Sequence, residues 1–328
     1  MGSGEGEEMI GESPPKPVPA VEAIGLTKFY DGRPVVHQVS FQIPTGCVYG
    51  FLGCNGAGKS TTTKMLTGMV IPDAGSARLL GHDVSEFDAE IRERIAYIAE
   101  GHPLYSWMTI KEAVRFTRPF YRRWNTQLLE QVLDHFELPM KRKIKRLSKG
   151  QQAQVSLALA IAPQPELLIM DDPTLGLDTV VRREFLESMI QIIQRQGRTI
   201  MFSSHILGDV ERVADRIGIM VDGVLRVDCA IDEFKQNIGK MVLEFDHPVN
   251  GSTSFPDVPG VVGTRSILNQ LEVIVVNLND EHRRLAEELK PRQIEVQSMN
   301  LEDSFLEYTR TNRKSVPVFV DQYPTEKV

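Results

Sequence analysis

Residues Gly50 to Leu66 read GFLGCNGAGKSTTTKML, and within them Gly53 to Ser60 fits the pattern G-x-x-x-x-G-K-S. Few short stretches restrict a fold so severely. The pattern acts only where a buried strand ends, the chain turns through glycines and a helix begins. Backbone N–H groups and the positive end of the helix then face an anion together. Both flanks fit. CVYGFL, Cys47 to Leu52, is a short apolar run of the buried-strand type, and Lys59 to Leu66 reads as the helix. Lys59 would reach the terminal phosphates of a nucleotide, and Ser60 would bind Mg²⁺.

A loop of this kind needs an acid at the end of a second strand to hold the metal. LLIM, Leu167 to Met170, is such a strand, and Asp171 and Asp172 follow it. Asp171 would hold Mg²⁺ directly or through water. Asp172 would orient or activate an attacking water. The bland alternative is that the two acids only terminate a strand.

Other strands are expected at Ala23 to Lys28, Val39 to Ile43, Arg94 to Ala99 and Thr199 to Ser204. Helices are expected at Gln151 to Ala162, Arg182 to Gln196 and from about Leu207. Residues 109 to 138 read as mostly helical, opened by a capping box at Thr109 and Glu112. Ile217 to Val227 reads as a hairpin turning at Asp222-Gly223. Strands alternating with helices imply an α/β sheet, parallel at its centre. After Gly239 the texture changes to short strands at 242–245, 263–268, 272–277 and 294–299, with helices at 281–289 and 301–310. The implied domains are a disordered tail at 1–20, an α/β unit at 21–238, a small α+β unit at 239–310 and a flexible tail at 311–328. The first tail is rich in Gly, Glu and Pro and cannot bury enough apolar surface to offset the cost of ordering.

The net charge of −7 argues against a nucleic-acid partner. The basic run KRKIKR, Lys141 to Arg146, reads as a solvated helix end or loop. Cys47, Cys54 and Cys229 form no metal-site or disulfide spacing, which fits a reducing compartment. No window approaches the roughly 18 apolar residues that cross a bilayer. A cytoplasmic chain is expected, and any membrane role needs a partner.

The motifs and their order carry a resemblance. The phosphate loop is followed by LSKGQQ at Leu147 to Gln152, then LLIMDDPTLGLD at Leu167 to Asp178, then SSH at Ser203 to His205. This resembles the ATP-binding subunit of ABC transporters across roughly residues 21 to 235. It implies the P-loop ABC ATPase fold, with an antiparallel β-subdomain and a helical subdomain beside the main sheet. Its cofactors are ATP and Mg²⁺. Tyr30 sits where an aromatic ring stacks on adenine. Gly53, Asn55, Gly56, Ala57, Gly58, Lys59, Ser60 and Thr61 would bind phosphates. Ser148, Lys149, Gly150 and Gln151 resemble the signature that contacts the γ-phosphate held by another protomer. Asp178 resembles the loop coupling two sites, and His205 the switch histidine at the γ-phosphate.

Three positions depart from the family pattern. Cys54 replaces a usual proline, in a loop whose backbone faces the phosphate, so a catalytic role is not expected. A thiolate handle favoured by the helix N-terminus and Lys59 is the alternative. Glu100 replaces a glutamine that senses metal and partner; a carboxylate binds metal or accepts from water but does not donate. Asp172 replaces a glutamate, so catalysis would rest on a chain one methylene shorter, and slow hydrolysis is expected.

The resemblance also implies partners. In HPLYSWMTIKEAVRFTRPFYRRW, His102 to Trp124, the family forms a groove for a cytoplasmic helix of a membrane permease. Tyr105, Trp107 and Met108 are the candidates for that contact; helical-domain core is the alternative. NLEDSFLEYTR resembles the ending LEDVFL of ATPases in exporters whose permease is a separate chain. The expectation is a cytoplasmic protein held peripherally at the inner face of the membrane by its permease, a homodimer or a heterodimer. A soluble ABC ATPase, or a slow nucleotide switch on a non-membrane partner, is the alternative. Nothing in the residues selects a cargo.

Overall fold

The computed structural model describes residues 18–193, 197–249, 254–310 and 319–320. Most of the two predicted tails lies outside these residues. The chain opens with long antiparallel strands, β1 (Val21–Tyr30) and β2 (Arg33–Ile43). β1 also pairs with β4 (Ala74–Leu79), which carries the short β5 (His82–Asp83), in the order β2-β1-β4-β5. Val21, Ala23, Val39, Phe41 and Ile43 are buried on one face, the alternation expected of a half-buried sheet. β4 was not foreseen. AGSARL has little intrinsic strand preference, and its pairing with β1 supplies the conformation.

The main sheet has the order β15-β10-β9-β3-β8-β7-β6. Its strands are β3 (Val48–Gly53), β6 (Ile95–Ile98), β7 (Leu167–Met170), β8 (Thr199–Ser204), β9 (Arg216–Val221), β10 (Val224–Ala230) and β15 (Phe319–Val320). β6, β7, β8, β3 and β9 run parallel, and β10 returns antiparallel through the foreseen turn. β3, β7 and β8 are buried at every position, as central parallel strands covered on both faces are. β15 lies in the segment read as a flexible tail and pairs with Val227 and Asp228. Phe41 stacks on Tyr49 and Phe51 with ring centroids 5.7 and 5.6 Å apart, joining the antiparallel sheet to β3. Val35 of β2 lies beside the phosphate loop.

α1 (Lys59–Leu66) packs against both β3 and the antiparallel sheet, and α2 (Ala89–Glu93) packs beside β6. The helical region holds α3 (Ile110–Thr117), α4 (Thr126–His135) and α5 (Lys149–Ile161). α3 begins with the predicted capping box. The region expected to be mostly helical is interrupted at Tyr121 to Asn125, after a 3₁₀ turn containing Pro119; Asn125 then caps α4. The basic run is a fixed strip. Ile144 and Lys145 donate backbone N–H bonds to Met108 and Ser106, burying Ile144 and leaving the five cations exposed. The same pairing turns Met108 inward, where it is 5% exposed. Met108 is therefore a core residue and not a surface contact.

After β7 come α6 (Thr179–Ile193), α7 (Leu207–Val213) and α8 (Ile231–Asn237). A third sheet begins at Ile238. It contains β11 (Ile238–Glu244), β12 (Val261–Ile267), β13 (Gln270–Val276) and β14 (Gln293–Ser298), in the antiparallel order β12-β13-β11-β14. α9 (Asp280–Glu288) lies between β13 and β14, and α10 (Leu301–Arg310) follows. Val262, Ile274, Val276, Leu301 and Phe305 share a core with Phe234 and Ile238, so this unit packs onto the main domain.

Candidate active site

Four of the parallel strands, β3, β6, β7 and β8, end on one edge of the sheet. Their register aligns Ile98 with Met170 and Met170 with Phe202. The residues just beyond each strand therefore meet. This is the crevice in which open α/β sheets bind ligands. Here it is a cavity of about 320 Å³ lined by Asn55, Gly56, Gly58, Lys59, Ser60, Thr61, Glu100, Asp171, Asp172 and Ser203, with Val35 and Leu175 at its sides.

The loop floor requires glycine at Gly58. Its φ is +101°, and a Cβ there would lie 2.6 Å from the carbonyl oxygen of Val35. α1 starts directly after it with no acid in its first turn, so its unpaired N–H groups and partial positive charge face the cavity unopposed. Lys59 Nζ donates to the carbonyls of Gly53 at 2.7 Å and Cys54 at 3.2 Å, which stretches its side chain across the loop. Burial pushes the Lys59 ammonium below its ordinary pKa, against the opposing pull of Asp172 and then Asp171. An anion placed here would favour the charged form of the lysine. Cys54 is exposed and unpaired in any disulfide, and its carbonyl, not its thiol, takes part in the loop.

Asp171 is 2% exposed, and its Oδ1 accepts from Ser60 Oγ at 3.0 Å and Ser203 Oγ at 2.7 Å. Ser203 in turn accepts the backbone N–H of Asp172 at 2.8 Å. Asp172 has φ +42°, a left-handed conformation uncommon outside glycine and frequent at functional turns. Its Oδ2 lies 2.7 Å from Nδ1 of His205. A carboxylate only accepts, so that nitrogen carries the proton. Its Oδ1 is buried and has no hydrogen-bond partner among the described residues.

These features test the fit of a magnesium nucleotide. Mg²⁺ is commonly held by one or two carboxylates and hydroxyls, with substrate phosphates completing the shell. Ser60 and Asp171 form such a partial set, and no group of three His, Cys, Asp or Glu side chains forms a metal cage among the described residues. The residues fit.

Other predicted residues lie elsewhere. Tyr30 ends β1 with its ring exposed, 5.8 Å from Lys28 Nζ, and the cavity wall on that side is Val35. Ser148 caps α5 in a reciprocal box with Gln151. The carboxylate of Asp178 accepts from the N–H groups of Val180 and Val181 at the start of α6. Gly150 packs so closely on Val181 that a Cβ would lie 2.4 Å from its Cγ1. Lys149 lies over Gly176. The signature and the Asp178 turn therefore form one packed surface outside the cavity lining. Ser203, Val35 and Leu175 were not singled out from the sequence. Only Ser203 had a signal, as the first residue of SSH.

Comparison with known proteins agrees with this geometry. Residues 36–175 match the ABC transporter family model. The chain is 30% identical over 291 residues to the ABC transporter ATP-binding protein YtrB of Bacillus subtilis (strain 168), covering 87% of this chain and 97% of that protein. The chain belongs to the ABC transporter ATP-binding proteins. It is 31% identical to the bacitracin transport ATP-binding protein BcrA of Bacillus licheniformis, covering 69% of this chain and 74% of that one. A solved ATP-binding subunit of an ABC transporter superposes with a TM-score of 0.60 at 29% identity, covering 66% of this chain and 92% of that structure. The chain is thus an ATP-binding and ATP-hydrolysing transporter subunit. No helix among the described residues is long and apolar enough to cross a membrane.

Proposed function

We propose that this ABC ATPase is the motor of an exporter whose permease is a separate chain, and that two cassettes close on ATP. One observation carries the reading. Lys59, Ser60, Glu100, Asp171 and Asp172 converge on one cavity, while the packed Ser148–Gln151 and Asp178 surface stands outside it. A second copy, or a related cassette, brings that surface to the γ-phosphate. Tyr30 stacks on the adenine.

The roles follow from the contacts. The first-turn amides of α1 and Lys59 bind and orient the β- and γ-phosphates. Ser60 and Asp171, with Glu100 on the same cavity, would hold Mg²⁺, which would supply charge neutralisation at those phosphates. Asp172 accepts the proton of the attacking water at Oδ1, the oxygen that His205 leaves unengaged. His205 locks the carboxylate at Oδ2 through Nδ1–H, and its other nitrogen engages the γ-phosphate once it too carries a hydrogen.

The permease contact is assigned to an exposed aromatic ladder. Tyr105 lies 6.0 Å from Trp107 and 5.4 Å from Phe116, and Phe116 lies 5.6 Å from Phe120. All four are exposed, Trp107 at 64% and Phe120 at 68%. Aromatic rings gathered at a surface without covering partners mark an interface core. The relatives' names include bacitracin transport, and that likeness supports a role in transport.

The test is purification from detergent-solubilised native membranes with ATP and Mg²⁺. A polytopic membrane protein in stoichiometric amount, lost with Trp107→Ala while soluble ATPase activity persists, is the expected result. A clean soluble dimer, or ribosomal proteins, would overturn the exporter reading.

A further inference from the structure

His102 is buried, and nothing in the reaction derived above employs it. It lies two residues beyond Glu100 in the loop leaving β6, and it is 5% exposed with φ +50°. Its backbone N–H closes a turn onto Ala99 at 3.2 Å. Its ring meets Phe185 of α6 edge-on, with centroids 6.4 Å apart. Nε2 lies 2.9 Å from the carbonyl oxygen of Pro173. A carbonyl only accepts, so Nε2 carries the hydrogen and Nδ1 is bare. Nδ1 is buried and without a hydrogen-bond partner among the described residues. Burial holds the ring below the ordinary histidine pKa, against the pull of the Pro173 bond. A buried polar ring with one nitrogen unpaired is a costly way to fill space that an apolar side chain fills as well.

Pro173 directly follows Asp172. The strained conformation of Asp172 persists only if its surroundings over-determine it. Ser203 holds the amide of Asp172 from the β8 side. Thr174 is held by its hydroxyl at 3.2 Å from Asp209 of α7. Pro173, between them, has no N–H, and its carbonyl takes the His102 bond. We propose that His102 is a positioning residue: its Nε2–H bond to Pro173 fixes the turn that aims the Asp172 carboxylate, and joins that turn to the loop carrying Glu100. A pull on the loop at Tyr105 and Trp107 then reaches Asp172 through one hydrogen bond. The inference rests on Asp172 being the water-activating group.

The experiment compares purified full-length variants for ATP turnover, KM, nucleotide binding and thermal midpoint. His102→Gln places an amide N–H where Nε2 stood, whereas His102→Asn is too short and His102→Met has no donor. A displacement of about 1 Å at a catalytic group costs on the order of a hundredfold, so partial relaxation of the turn is expected to lower kcat about tenfold. We expect that loss in the Asn and Met variants, with KM within about twofold of wild type, and rescue in the Gln variant. On an Asp172→Asn background, His102→Met should remove little more, because the two act through one group.

Unchanged kcat in the Asn and Met variants overturns the proposal. So does a Gln variant as slow as the other two, or a full additional loss on the Asp172→Asn background. The Asp172→Asn variant alone tests the underlying assignment. If it keeps wild-type turnover, both readings fall. If it is slow while His102→Met and His102→Asn are fast, only the role of His102 falls.

Discussion

Asp172→Asn is the most informative single change. The side chain keeps its shape, and the asparagine oxygen can still accept the Nδ1–H of His205, now made at 2.7 Å by Asp172 Oδ2. The amide NH₂ then occupies the position of Oδ1. That oxygen is buried and unpartnered among the described residues, so its basicity is not shared with another protein donor. Exchanging it for a group that cannot take a proton removes general-base catalysis, worth about 10²- to 10⁴-fold. In barrier terms this is roughly 3–5 kcal/mol. Stability should change little, because an unpaired buried oxygen is replaced by an unpaired buried amide of similar cost, about 1–3 kcal/mol. Phosphate release at saturating ATP and Mg²⁺ should fall at least a hundredfold, with nucleotide affinity retained. Light scattering should show an ATP-loaded dimer that persists. Turnover within about threefold of wild type, at an unaltered thermal midpoint, would refute the assignment.

Other changes probe the same cavity. Asp172→Glu should raise kcat about tenfold or more if the short side chain limits catalysis; no gain, with wild-type turnover already that of a fast transport ATPase, removes that explanation. Gly58→Ala should abolish nucleotide binding and lower stability by about 2 kcal/mol or more, since the new Cβ meets the Val35 carbonyl at 2.6 Å in a left-handed backbone; isothermal titration and thermal unfolding read both effects. A thiol reagent at neutral pH should modify Cys54 alone, and ATP should slow the reaction. Cys229 is buried, and burial pushes the Cys47 thiol up to about 12, with Asp215 adding to the rise. Labelling of Cys47 at the same rate would contradict the packing around β3.

The parts legible in the sequence share a property: their chemistry and their backbone geometry are set by the same few adjacent residues. Gly58, Lys59 and Ser60 declare loop, helix start and ligand together. Leu167 to Asp172 does the same for a strand and its acids. The illegible parts depend on pairing at a distance. Ala74–Leu79 becomes a strand only because β1 offers an edge. Met108 reads like its aromatic neighbours until the backbone bond from Ile144 turns it into the core. α5 begins at Lys149, two residues before its expected start, because Ser148 and Gln151 cap each other. His102 carries no signal in its own neighbourhood, since its partner is 71 residues away.

The same contrast explains how the site is held. Three elements contribute bonds to the turn after β7, and none of the partners is adjacent to it in sequence. β8 supplies Ser203 and His205, α7 supplies Asp209, and the loop after β6 supplies His102. A left-handed aspartate is an unfavourable conformation that local sequence does not select. Its persistence requires those tertiary bonds, so Asp172 is aimed only when β6, β7, β8 and α7 are packed in register. If a partner docks on Trp107 as proposed, a displacement there would pass along the loop after β6 to His102, and through its bond to Pro173 to the turn that holds Asp172.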